Sequence, residues 1–350
     1  MQLVAYCRGG FEAEAAADLR RAAARIGAHL AFHSSTQSFV VASADGANRA
    51  AWLAALVAAR PVFLRSVFVG DGPLVLAQAH GEGRADRVTP LMAAIAATCA
   101  PPWRSVWIEF PDTNEGKALS GLARSLSARI EPALRDSLLP DAATRLRVFL
   151  QDGGTAYVGE SDARVPDWPL GIPRLRMPSG APSRSTLKLA EAFAVFLGDR
   201  VNDLVRPGMH AVDLGAAPGG WTWQLAQRGL HVTAVDNGPL KGAIRDDALV
   251  RHVRDDAFRF APKRRVDWLV CDVVDQPARI ADLVARWMSA GLARRAIFNL
   301  KLPMKKRYDE VVRCERRIAD ALADVPFTLA LRQLYHDREE VTGYVSCERR

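Results

Sequence analysis

The sequence predicts an α/β protein, with a doubly wound, mainly parallel sheet in its C-terminal half and smaller α+β units before it. Three observations carry that expectation. Short apolar runs alternate with helix-period segments from residue 184 onward. A Pro- and Gly-rich stretch at 165–183, holding Pro166, Pro169, Gly171, Pro173, Pro178, Gly180 and Pro182, reads as a linker ahead of that half. The 350 residues suffice for about two domains, each with its own core.

The elements follow in order. Residues 3–7 read as a strand, 11–26 as a helix closed by Gly27, 39–42 as a strand, 47–59 as a helix and 62–69 as a strand. That β-α-β-α-β order suits a ferredoxin-like unit over 1–80. A second unit, 81–164, starts with a helix at 88–98 and a strand at 105–110. The cap-forming run Asp112-Thr113-Asn114-Glu115 precedes a helix at 116–126. Strands 145–151 and 155–158 make a hairpin around Gly153-Gly154. Beyond the linker, 184–350 carries a helix at 187–197 and strands at 210–214, 231–235, 266–271, 296–300, 327–331 and 341–345. A Gly-rich turn and a helix from about Gly220 follow the first of these strands.

Composition excludes several classes. With 49% hydrophobic and 25% charged residues, the chain is not mainly disordered. No apolar run approaches the roughly 18–20 residues needed to span a bilayer. The first eight residues lack a basic stretch followed by an apolar core, so no signal peptide is expected and the expected location is the cytoplasm. Five scattered cysteines, at 7, 99, 271, 314 and 347, argue against a disulfide framework and a zinc site; no metal is expected. The net charge of +8 is compatible with nucleic acid as partner but weak alone. Lysine occurs only seven times against forty arginines, so each retained lysine attracts scrutiny. No dimerisation stripe is evident, and a monomer is expected.

The sharpest local signal is Asp213-Leu214-Gly215-Ala216-Ala217-Pro218-Gly219-Gly220-Trp221, between a strand and a helix. Backbone N–H groups and a missing Cβ there admit a ligand closely. It is not a nicotinamide fingerprint, because the second required Gly is Ala217 and the turn carries Pro218. Asp236 ends the next strand, 21 residues after Gly215, where an acid accepts both hydroxyls of an adenosine ribose. Asp272 and Lys301 each end an apolar strand, which directs them into the ligand crevice of such folds. Lys188 lies on the 187–197 helix after Ser183-Arg184-Ser185-Thr186-Leu187, whose hydroxyls can cap it, and Glu340 abuts the last strand. Plainer readings stay open: Asp256 as a helix cap for Phe258, Lys188 as a surface lysine, Glu340 as a solvated charge and Trp221 as packing. Arg174, Arg176, Arg184 and the Lys305-Lys306-Arg307 cluster are either surface charges or phosphate contacts.

Together, the 183–189 stretch, the 213–221 turn, Asp272, Lys301 and Glu340-Val341 resemble the RrmJ/FtsJ-type ribose 2′-O-methyltransferases, whose hallmark is a Lys-Asp-Lys-Glu tetrad in that order. More closely, the whole chain resembles the RlmM-type 23S rRNA ribose 2′-O-methyltransferases. The matching stretches are 7–12, 112–115, 171–175, 298–307 and 334–340. Departures are Ala216-Ala217 in the turn and a short tail after Val345.

The resemblance implies a Rossmann-like S-adenosylmethionine methyltransferase domain behind a THUMP-type RNA-binding unit and the ferredoxin-like unit. It implies Lys188, Asp272, Lys301 and Glu340 as catalytic residues. It implies Asp213, Gly215, Pro218, Gly219, Gly220 and Trp221 around the methionine end of the donor, Ser185 on its carboxylate, and Asp236 on its ribose. Asp256 is implied on its adenine, with Asp272 also lining the donor site. It implies 23S rRNA as partner, naked or partly assembled, with cytidine 2498 as target. A lysine is a base only when neutral, and burial with a second cation lowers a lysine pKa. Lys301 is therefore expected as base, with Lys188 as the cation. Competing readings are the same chemistry on another RNA, a methyltransferase for protein or small molecules, and a non-catalytic ribosome-assembly factor. The paired lysines disfavour the last two.

Overall fold

The computed structural model describes residues 1–76, 86–165 and 168–347, and of residues 34–36 the backbone alone. The expected 80/81 boundary and Pro166 lie outside the described residues. The chain divides into two compact units, 1–172 and 173–350.

Unit 1 runs β1 (Gln2–Tyr6), α1 (Glu12–Ala24), β2 (His29–Thr36), β3 (Phe39–Asp45), α2 (Arg49–Ala59) and β4 (Ser66–Val75). It continues α3 (Val88–Thr98), β5 (Val106–Glu109), α4 (Asn114–Lys117), α5 (Ser120–Ala133), β6 (Thr144–Leu150) and β7 (Thr155–Asp162). Among the described residues, seven strands form one sheet in the order β2-β3-β1-β4-β7-β6-β5. The ferredoxin-like part therefore has one strand more than the sequence pattern suggests. β2 is an edge strand, mostly polar and bulged between Phe32 and Ser34, so it carries no clean apolar alternation. β4 starts at Ser66 rather than 62. Val62, Phe63 and Leu64 are buried but form a connection, and Asp18 of α1 accepts the Phe63 and Leu64 N–H groups at 2.6 and 3.3 Å. The expected 116–126 helix divides into α4 and a longer α5; Thr113 caps α4 by accepting Gly116 N–H at 2.9 Å. Within the expected linker, Leu170 and Ile172 are buried.

Unit 2 runs α6 (Thr186–Leu197), α7 (Val201–Leu204), β8 (His210–Leu214), α8 (Gly220–Ala226), β9 (His231–Val235), β10 (Val250–Val253) and β11 (Val266–Cys271). It ends α9 (Pro277–Ser289), β12 (Ala293–Lys301), α10 (Arg307–Ala321), β13 (Phe327–Arg332) and β14 (Glu340–Cys347). The sheet order is β10-β9-β8-β11-β12-β14-β13. The first five strands are parallel, and β14 runs antiparallel between β12 and β13. Strand order reverses at β8, with β9 on one side and β11 on the other. That switch point opens a crevice at the carboxyl ends of the strands. Leu189 and Phe193 of α6 and Trp221 and Leu225 of α8 bury against Trp268, Val270 and Ile297. Each such side chain contributes about 1.5–3 kcal/mol. The amphipathic α9 and α10 pack on each other, completing an alternation that the sequence showed mainly through its strands. Among the described residues, no helix is long and apolar enough to cross a membrane.

Candidate active site

The β12–β14 register builds the centre of the site. Lys301 pairs with Glu340 and Asn299 with Thr342 across the antiparallel ladder. Side chains two residues apart share a sheet face, so these four stand in two stacked pairs on one side. Asp272 follows the neighbouring strand β11, and Lys188 enters from the first turn of α6.

The four charged groups alternate in sign. Lys301 Nζ donates to Asp272 Oδ1 at 2.6 Å and to Glu340 Oε1 at 3.0 Å. Lys188 Nζ donates to Glu340 Oε2 and lies 3.9 Å from Asp272 Oδ2. Their side chains keep 15–19% of their surface exposed, so the cluster is shielded yet reachable. Neither Lys188 nor Glu340 is a freely solvated charge. The expected depression of the Lys301 pKa is not what this arrangement of charges produces. Burial disfavours the ammonium, but Asp272 and Glu340 outweigh it and raise the pKa above its ordinary value. The cation Lys188 is itself held by one of those carboxylates.

Asn299 was not singled out by the sequence reading, although a polar residue inside the apolar run Ile297-Phe298-Asn299-Leu300 was a signal. It is fully buried, and its Nδ2 donates to Asp272 Oδ1 at 2.9 Å and Glu340 Oε2 at 3.2 Å. Glu191, one turn along α6 from Lys188, was missed as well. Its carboxylate accepts the N–H groups of Tyr335 and His336 at 2.7 and 2.9 Å and meets His336 Nδ1 at 2.6 Å. This fastens the segment ahead of Glu340 to the helix that carries Lys188.

The turn after β8 lies along the same edge. Gly215 has φ +77°, and a Cβ there would come within 2.9 Å of Val273 Cγ2. At Gly220 it would come within 2.2 Å of Ser185 Oγ and 2.5 Å of Ser183 Oγ. These two glycines thus allow the turn to nest against the segments bearing Asp272 and Lys188. Ser185 makes no capping bond to α6, contrary to the expected cap; its Oγ lies 2.7 Å from Ser183 Oγ. Asp236 accepts Ala217 N–H at 2.9 Å and Gly238 N–H at 2.7 Å, which braces the turn from β9. Pro218 accepts Lys241 N–H at 2.9 Å. Gly219, at φ +114°, precedes α8.

Asp213 lies beneath the turn, fully buried, accepting Thr222 Oγ1–H at 2.6 Å. Burial pushes its carboxyl up to about 7. Trp221 is buried in the core, as its packing reading has it. Asp256 is half exposed and accepts Phe258 N–H at 2.8 Å, closing a turn at 257–259 rather than capping the helix expected there. Lys305 and Lys306 are exposed, whereas Arg307 pairs with Glu339 at 3.4 Å.

Three family models match the chain: FtsJ-like methyltransferase over 181–311, ribosomal RNA large subunit methyltransferase M N-terminal over 86–162, and RlmM ferredoxin-like domain over 1–68. Curated relatives called ribosomal RNA large subunit methyltransferase M are similar along most of their length. The one from Laribacter hongkongensis is 52% identical, over 75% of this chain and 76% of its own. That from Methylococcus capsulatus is 47% identical, over 98% and 97%. One from Xanthomonas campestris is 44% identical, over 97% of each chain.

Proposed function

Since the chain belongs to the ribosomal RNA large subunit methyltransferase M family, we propose that it methylates a ribose 2′-hydroxyl of 23S rRNA, on a cytidine, with Lys301 as general base. The finer target, cytidine 2498, rests on the family resemblance alone. The observation that carries the reading is the alternating Lys188–Glu340–Lys301–Asp272 cluster at the carboxyl edge of the parallel strands.

S-adenosylmethionine, the cofactor of this methyltransferase class, supplies a methyl group already activated on a sulfonium. The residues at the switch point fit it. Asp236 is partly exposed, and each of its oxygens retains a lone pair after one backbone bond, as acceptors of a ribose diol require. Ser185 would donate to the methionine carboxylate, and the turn from Gly215 to Gly220 would line the methionine end, with Asp213 buried behind it and Trp221 packed in the core. Asp256 would meet the adenine edge once its exposed carboxylate turns inward.

The protein must then place the 2′-hydroxyl in line with the methyl group and take its proton. Lys301 would take it at Nζ, leaving the ribose oxygen free to accept the methyl group that the cofactor supplies. Asp272 and Glu340 aim Nζ, and Lys188 neutralises Glu340 so that it does not hold the Lys301 proton alone. At its ordinary pKa of about 10.4, a lysine is neutral in on the order of one molecule in a thousand or fewer at pH 7. Asp272 and Glu340, which raise the Lys301 pKa, make that fraction smaller still. Turnover should therefore climb steadily with pH through the neutral range.

The test incubates the protein with methyl-labelled S-adenosylmethionine and 23S rRNA lacking its native methylation, then locates the label by mass spectrometry. Label on one cytidine ribose, absent with Lys301→Ala, is expected. Label on a base rather than a ribose would overturn the reading. Transfer only to some other RNA would move the reading to that substrate.

A further inference from the structure

The hydrogen bonds behind the four charged groups contain one proton that ordinary ionisation does not supply. Asn299 Nδ2 faces the carboxylates of Asp272 and Glu340, which fixes the amide orientation; flipped, its oxygen would confront both. Asn299 Oδ1 is thus an acceptor, and Thr342 Oγ1 lies 2.8 Å from it. Thr342 Oγ1 also lies 2.9 Å from Asp337 Oδ2. A hydroxyl has one proton, and Asn299 Oδ1 requires it. The contact with Asp337 is then attractive only if the carboxyl of Asp337 carries a proton on Oδ2 and donates it to Thr342.

The surroundings of Asp337 agree. It is fully buried; its Oδ2 accepts Leu334 N–H at 3.0 Å, while its Oδ1 is buried with no partner among the described residues. No cation lies within salt-bridge distance of it among the described residues. Burial, above all, drives its pKa well above the carboxylate range.

We propose that Asp337 is a standing neutral acid, and that Asp337, Thr342 and Asn299 form a one-directional donor chain positioning Asp272 and Glu340 around Lys301. The order runs Asp337 Oδ2–H to Thr342 Oγ1, Thr342 Oγ1–H to Asn299 Oδ1, and Asn299 Nδ2–H to both carboxylates. None of the three touches substrate; they act through the carboxylates. Donors on Asp272 and Glu340 drain the negative charge that keeps Lys301 protonated. The titratable groups around Lys301 are Asp272 just after β11, Glu340 of β14 and Lys188 of α6, with the buried Cys271 ending β11, Asp213 of β8 acting on Asp272, and Asp337 acting on Glu340 and Lys188. Removing the chain leaves the carboxylates more negative, so Lys301 holds its proton to higher pH.

The kinetic part rests on Lys301 being the base; the protonation of Asp337 does not. The experiment therefore has two readouts on the full chain. In protein carrying 13Cγ-labelled aspartate, the Asp337 carbon, assigned by its loss in Asp337→Asn or its displacement in Thr342→Val, should stay at the neutral-acid position from pH 5 to 9. A resonance that titrates near the ordinary value of about 3.9 overturns the proposal. Methyl transfer is then compared between Thr342→Ser, which keeps the hydroxyl, and Thr342→Val, which removes it. Thr342→Ser should stay near wild type. Thr342→Val should lose roughly ten- to a hundredfold in kcat, the worth of a hydrogen bond that orients a charge, with unchanged KM for S-adenosylmethionine and a pH profile moved to higher pH. Equal kcat and an unmoved profile would overturn the positioning role. Should the wild type fail to methylate rRNA, the reading of function fails, and the aspartate titration still decides Asp337.

Discussion

Each unit of this chain contains a cluster of acids and cations, and the two differ in the property that separates architecture from chemistry. In unit 1, Arg147 Nη2 donates to Glu109 Oε2 at 2.5 Å, with side chains only 1% and 5% exposed. Tyr6 OH donates to the same oxygen at 3.0 Å, and Leu170 N–H to the other at 2.5 Å. The guanidinium also stacks on Trp107, 4.8 Å from the ring centre. In unit 2 the cations are lysines and the cluster remains partly open. Arginine does not give up its proton; lysine does. A sealed arginine cluster ties strands and a following segment together, while an open lysine cluster holds a proton that can be exchanged. In a chain with forty arginines and seven lysines, two lysines in one site suit the proton exchange proposed there.

The largest effect that tests this contrast is Lys301→Arg. The charge stays and the exchangeable proton goes. Turnover should fall by about 10²–10⁴-fold, the usual contribution of a general base, while calorimetry shows unchanged affinity for S-adenosylmethionine. An active Lys301→Arg enzyme would erase the distinction between the two clusters.

Next comes Glu109→Gln in unit 1. It leaves the Arg147 charge buried without its counter-ion, a loss of about 3–5 kcal/mol of stability by denaturant unfolding. Affinity for S-adenosylmethionine, which the proposed site places in unit 2, should not change. A loss under 1 kcal/mol would mean that water reaches Arg147 and that the cluster is not sealed.

The same contrast explains what the sequence disclosed. Asp272 and Lys301 were legible because each ends an apolar strand, and such ends face the crevice in a parallel sheet, whereas Lys188 and Glu340 read alone as surface charges and were named by the family resemblance. The unit 2 strands were legible because burial on both faces leaves uninterrupted apolar runs. β2 and β10 were not, since an edge strand needs few apolar residues. Asn299, Thr342, Asp337 and Glu191 were hidden for another reason. Their importance lies in hydrogen bonds that cross from α6 to the segment before β14, and from β12 to β14, and no spacing in the sequence reports those pairings. The direction of the Lys301 shift was hidden likewise, because it depends on both carboxylates standing within hydrogen-bond distance of Nζ, at 2.6 and 3.0 Å.

The smallest effect concerns Asp213, a buried acid that has neither cation. Its folded-state pKa of about 7 stands above an unfolded value of about 3.9. The fold thus prefers the neutral acid. Its contribution to stability is fully present below about pH 4 and is lost as pH rises through 7. Relaxation and water penetration shrink such effects, so the expected loss is on the order of 1 kcal/mol, a Tm lower by about 2–4 °C. Asp213→Asn keeps an acceptor for Thr222 and carries no charge. In that variant the decline of Tm between pH 5 and 8 should flatten relative to wild type, measured without ligand. An unchanged slope would place a cation or water beside Asp213 and put it with the paired acids of the two clusters. A flattened slope makes it the intermediate case: a carboxyl that burial raises to about 7, which braces α8 through Thr222 and titrates near neutrality with no cation beside it.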